Sequence, residues 1–188
     1  MIYGRRKVAV YSGSFNPIHR GHVAILKYLV ENMDFDQVYL IVSPKNPLKD
    51  NISEASGRRR YNEVLSVVKK LGLSKVKVDD VELNMPSPHY TIHTLDFLRD
   101  REPDCDFTFV IGADNLCQLE KWRSYERILK EFGVIVFPRT GYDMETEKLR
   151  LEKIDKDFSI VLANMPEVDI SSTQIRESGA DGLCIDEI

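Results

Sequence analysis

The chain has 188 residues, a formal net charge of -4 and 43% hydrophobic residues, which suits one folded domain with a substantial core and excludes a disordered chain. No apolar run approaches a membrane span, the start M-I-Y-G-R-R-K carries no signal-peptide core, and Cys105, Cys117 and Cys184 are too widely spaced for a zinc or disulfide framework. A net-negative chain also lacks the basic surface that nucleic-acid binding needs. The expectation is therefore a cytoplasmic protein with no nucleic-acid or membrane partner.

Lys7 to Ser12 reads as a first strand, and Gly13 to His22, GSFNPIHRGH, as the turn into a first helix that runs from about His19 to Met33. Gly13 and Ser14 allow the backbone to approach a ligand, Pro17 stiffens the loop, and the N–H groups that open the helix form an anion site. His19 and His22 are three apart and point the same way if the helix starts near Pro17. Either histidine alone suits a cap or a surface position; two of them over an anion-binding turn suggest phosphoryl or nucleotidyl chemistry.

Gln37 to Ser43 is a second strand, a continuous apolar run fit for burial on both faces. The loop Pro44 to Lys49 follows at the ligand end of the sheet. Gly57 to Leu71 is a second helix, in which Arg58-Arg59-Arg60 reads as a solvated face, and Lys75 to Val81 is a third strand. A helix opens at Thr91, which suits a cap and a binding residue about equally, and runs to about Asp100. Phe107 to Ile111 is a fourth strand ending in Gly112-Ala113-Asp114-Asn115, where Asp114 is placed either to cap a short helix or to meet ribose hydroxyls. Trp122 lies off the apolar stripe formed by Tyr125, Ile128, Leu129 and Phe132, so its indole is a candidate for stacking on a planar ring.

Gly133 to Phe137 is a fifth strand, and Arg139 stands in the loop after it. Asp143 to Lys156 is a peripheral helix, Ser159 to Ala163 a last strand, and Ser171-Ser172-Thr173 begins a helix whose hydroxyls and N–H groups suit a polyphosphate, with Arg176 one turn on. Alternating strands and helices predict an α/β fold: a Rossmann-like doubly wound parallel sheet with helices on both faces, with ligands at the carboxyl ends of its strands.

The H-x-G-H turn His19 to His22 resembles the signature of the nucleotidylyltransferase superfamily. The set GSFNPIHRGH, SPKNPLK, HYTIHTL, IGADNL with Trp122, FPRTGY and ISSTQIR is similar, in order, to the bacterial nicotinate-nucleotide adenylyltransferase family. That resemblance implies a single domain over residues 1–188 that transfers AMP from ATP to nicotinate mononucleotide, with Mg2+ bound mainly through the ATP phosphates and no metal ligands from the protein. His19, His22 and Arg176 would be catalytic. Gly13, Ser14, Phe15, Gly112, Asp114, Ser171, Ser172 and Thr173 would join them in binding ATP, and Asn16, Lys49, Thr91, Trp122 and Arg139 would bind the acceptor.

The chain departs from the family pattern at Asn16, where Asp is usual, and in the Asn46-Pro47-Leu48-Lys49 loop, which lacks the common double proline followed by histidine and lysine. It also ends soon after Arg176, so a short final helix is expected. Nicotinamide mononucleotide and phosphopantetheine are alternative acceptors for the same chemistry, and a non-catalytic nucleotide-binding domain is an alternative of another class. The sequence leaves the oligomeric state open.

Overall fold

The computed structural model describes residues 4–44 and 54–166. Its six strands form one parallel sheet in the order β3-β2-β1-β4-β5-β6, which is the expected Rossmann-like α/β architecture. β2 (Gln37–Val42) and β5 (Val134–Phe137) are buried along almost their whole length, as strands covered on both faces must be. By internal contacts the chain resolves into two compact units. Among the described residues these are 12–44 with 54–87, and 4–11 with 88–166.

The first unit begins at the end of β1 (Arg6–Gly13) and holds α1 (Arg20–Asn32), β2, α2 (Glu54–Lys70), β3 (Val76–Asp79) and α3 (Val81–Asn84). Val23, Leu26 and Leu29 form the fully buried stripe of α1, at the spacing of one helix face. Two expectations need correction here. The third strand ends at Asp79 rather than Val81, because the Asp79 carboxylate accepts a 3.0 Å hydrogen bond from Val81 N and turns the chain into α3. Arg58 and Arg59 do face solvent, but Arg60 is only 4% exposed. It shares the i, i+4, i+8 stripe with Val64 and Val68 and therefore points inward.

The second unit carries α4 (Thr91–Arg101), β4 (Cys105–Gly112), α5 (Ala113–Leu116), α6 (Tyr125–Arg127), β5, α7 (Met144–Ile154) and β6 (Ile160–Leu162). Ile92, Leu95 and Leu98 bury one face of α4. The fourth predicted helix is less regular than its apolar stripe suggests. After Arg127 it widens into a π-type turn over Ile128–Phe132, closed by Gly133 N donating to Ile128 O at 2.8 Å. Gly133 has φ 74°, and a Cβ there would sit 2.8 Å from Ser159 Oγ, so this exit into β5 requires glycine. Asp143 caps α7 by accepting from Glu145 N at 3.1 Å and Thr146 N at 3.0 Å.

Candidate active site

In the first unit, the turn after β1 is built around Phe15. This residue has φ 42°, a left-handed conformation that costs a bulky side chain about 1–3 kcal/mol. Its ring is 2% exposed, lies 4.9 Å edge-on from the His22 ring, and covers Gly13, where a Cβ would meet it at 3.1 Å. The Asn16–Pro17 peptide is cis, and Ser14 and Asn16 are half-buried beside it.

The strand thus leads into α1 through a strained, compact turn, and the two histidines fix where the helix starts. His19 is the N-cap. Its Nδ1 accepts from Gly21 N at 3.2 Å, and His22 Nδ1 accepts in return from His19 N at 3.2 Å. The pair forms a capping box in which imidazoles replace the usual hydroxyl and carboxylate. The capping role and the ligand-facing role are therefore compatible. Because each Nδ1 is an acceptor, each ring carries its proton on Nε2, as a neutral N–H donor. The rings stack at 3.7 Å with 29° between planes, so the two imidazoles lie face to face at the start of α1.

Two charged side chains that the sequence reading did not select, Arg60 and Glu82, support this turn. Arg60 Nη1 donates to Ser14 O and, at 2.9 Å, to Ser43 O, while its Nη2 donates to Pro44 O at 2.9 Å. Glu82, 4% exposed, accepts from Ser12 Oγ at 3.0 Å and from Ser43 Oγ. Ser43 N donates to Gly13 O at 2.9 Å. The inward i, i+4, i+8 placement of Arg60 is the sequence signal that would have found it. Nothing in the sequence around Glu82 marks that residue.

In the second unit, β4 ends at Gly112 and Asp114 lies in the first turn of α5. The capping alternative for Asp114 fails: the N-cap is Gly112, and Asp114 Oδ1 is buried with no hydrogen-bond partner among the described residues. Its nearest cation is Arg139 Nε at 3.9 Å. A Cβ at Gly112 would collide with Asp114 Oδ1 and lie 3.2 Å from Arg139 Nε. Glycine is needed there to let the carboxylate fold back over the strand end. Burial raises the Tyr11 hydroxyl above its ordinary pKa, and the nearby Arg139 charge opposes that rise.

Thr91 is the first residue of α4, and the N-cap is Tyr90 without a side-chain bond, so capping by Thr91 fails too. The Tyr90 ring receives the Arg123 guanidinium at 5.0 Å, which brings the start of α4 against the segment carrying Trp122. Trp122 is half-buried and meets Phe109 edge-on at 6.3 Å. Asp114 is thereby brought beside Arg139, and the start of α4 beside the segment that carries Trp122. Lys49, Ser171, Ser172, Thr173 and Arg176 lie outside the described residues. Among the described residues no group of three His, Cys, Asp or Glu could hold a metal ion, and no helix is long and apolar enough to cross a membrane.

A parallel α/β sheet with a histidine turn at the end of its first strand fits the cytidylyltransferase-like class, and the cytidylyltransferase-like family model matches residues 10–178. The chain is 38% identical over 176 residues to a probable nicotinate-nucleotide adenylyltransferase of Flavobacterium psychrophilum, covering 92% of this chain and 86% of that one. A counterpart in Clostridium novyi is 34% identical over 173 residues, covering 91% and 86%. A solved structure of Plasmodium falciparum nicotinic acid mononucleotide adenylyltransferase complexed with NaAD shares the fold, with a TM-score of 0.73 at 22% identity over 92% of this chain and 83% of that one. The chain belongs to the nicotinate-nucleotide adenylyltransferase family.

Proposed function

We propose that the protein transfers AMP from ATP to nicotinate mononucleotide, giving deamido-NAD and pyrophosphate in NAD biosynthesis. The observation that carries this reading is the histidine capping box, which stacks two imidazoles at a helix N-terminus in a chain of this family. The acceptor phosphate is already an anion and needs no general base. Its oxygen attacks the α-phosphorus of ATP directly; the new P–O bond forms as the bond to pyrophosphate breaks, and the electron pair leaves with pyrophosphate.

His19 and His22 donate to phosphate oxygens and stabilise the charge that develops on the transferred group. Gly13, Ser14 and Phe15 shape the turn that receives the phosphates. Asp114, whose buried Oδ1 has no hydrogen-bond partner among the described residues, accepts from a ribose hydroxyl, and Gly112 leaves room for that approach. Trp122 stacks on the pyridine ring, with Thr91, Asn16 and Arg139 as further acceptor contacts. Lys49, Ser171, Ser172, Thr173 and Arg176 hold phosphates by the family resemblance. ATP arrives as its magnesium complex, with the ion held mainly through the ATP phosphates. Residues 1–188 act as a single nucleotidylyltransferase domain in the cytoplasm.

An ATP analogue made chiral by sulfur at the α-phosphorus tests the mechanism. Direct attack gives inversion at that centre. Retention would reveal a covalent adenylyl-enzyme and overturn it.

A further inference from the structure

A buried arginine with no stake in a ligand should be paired with a carboxylate or replaced by an apolar residue, since a desolvated cation is costly. Among the described residues Arg60 has no carboxylate partner. At 4% exposure its two terminal nitrogens donate to three backbone carbonyls, those of Ser14, Ser43 and Pro44, and its buried Nε has no hydrogen-bond partner among the described residues. Ser14 O belongs to the peptide just before Phe15, the residue held at φ 42°. Ser43 and Pro44 begin the loop after β2. One planar fork of donors therefore ties the strained phosphate turn to the adjacent strand end.

The tie continues past the arginine. Ser43, whose carbonyl accepts from Arg60, gives its hydroxyl to Glu82, and Glu82 also accepts from Ser12 Oγ, one residue before Gly13. Ser43 N meets Gly13 O at 2.9 Å. Arg60 and Glu82 both reach Ser43 and brace the turn from the two sides of Gly13, at Ser12 and at Ser14.

We infer that Arg60, coupled through Ser43 to Glu82, is a positioning residue that holds the Gly13–His22 turn in its reactive shape and so sets the alignment of the two imidazole donors. It touches no substrate and acts through the turn. The inference rests on the adenylyl-transfer reading above. A network that only supported the fold would be expressed in Tm alone. A network that positions the donors is expressed in turnover, at temperatures where every variant is fully folded.

The test is pyrophosphate release with ATP, magnesium and nicotinate mononucleotide, measured well below each variant's own Tm. Arg60→Lys keeps a charge but cannot reach three carbonyls, and its kcat falls about 10- to 100-fold. Glu82→Gln lowers kcat about threefold or more. Because both act through one turn, the double variant is slower than Arg60→Lys by no more than about twofold. A folded Arg60→Lys within about twofold of the parent kcat, or losses that simply multiply, would overturn the inference. If Arg60→Lys fails to fold, Glu82→Gln decides alone, and parent-like turnover there refutes it. A parent protein that releases no pyrophosphate fails the functional reading instead, so the two failures are distinct.

Discussion

His22 has two jobs in this structure, and substitution can separate them. Its Nδ1 accepts from His19 N at 3.2 Å as the second half of a capping box, and its ring stacks on that of His19, with Nε2–H as the proposed phosphate donor. His22→Ala removes both. Losing a cap costs about 1 kcal/mol, which in a chain of this size lowers Tm by roughly 2–4 °C. Losing a preorganised donor to the transferred phosphoryl group costs about 2.7–4 kcal/mol of barrier, roughly 100- to 1,000-fold in kcat. His22→Gln restores the first job only, because glutamine at the third helical position can accept from the N-cap N–H as in an ordinary capping box. Thermal unfolding paired with pyrophosphate-release kinetics reads both quantities. Glutamine should recover the Tm lost in the alanine variant and leave turnover at the alanine level. Turnover that returns together with Tm would show the imidazole to be only a cap, and near-normal turnover in His22→Ala would remove it from the mechanism.

Three further outcomes follow from the second unit. Gly112→Ala forces the Asp114 carboxylate away from the strand end, and the lost charged hydrogen bond raises the ATP KM by about 10- to 100-fold; an unchanged KM would unseat Asp114 as the ribose acceptor. Trp122→Ala raises the nicotinate mononucleotide KM and leaves the ATP KM within about twofold, a split that steady-state kinetics resolves; an unchanged acceptor KM refutes stacking. Glu131 is held at about 2, below its ordinary 4.5, by hydrogen bonds from Arg127 and then Arg99. A depressed carboxylate stabilises the fold above its unfolded pKa and loses that contribution as pH falls through the folded value. Glu131→Gln should therefore lower stability slightly near pH 7, by less than about 1 kcal/mol for so exposed a pair, with the difference in thermal unfolding vanishing as pH falls from 4.5 toward 2. A gap that stays constant with pH contradicts it.

What the sequence disclosed depended on whether a residue's role was local. The strands β2 and β5 and the histidine turn were legible because continuous apolar runs and an H-x-G-H at a strand-to-helix junction are patterns within a few residues. The end of β3 was not, since one Asp79 hydrogen bond outweighed the β propensity of Val81. Thr91 and Asp114 were each ambiguous between cap and ligand contact, and only cap geometry could remove the first option. Arg60 was misread because three adjacent arginines look alike on the page, whereas helix rotation sends two to solvent and one inward. Glu82 meets Ser12 and Ser43, partners 70 and 39 residues away, a relation that no local pattern carries.

The central claim is that this chain makes a dinucleotide from ATP and nicotinate mononucleotide. The most direct measurement is pyrophosphate release from ATP and magnesium with nicotinate mononucleotide, nicotinamide mononucleotide and phosphopantetheine offered in competition. Strong preference for the nicotinate compound is the predicted result. Release with only another acceptor would contradict the assignment of Thr91 and Trp122, and release with none would contradict adenylyl transfer itself.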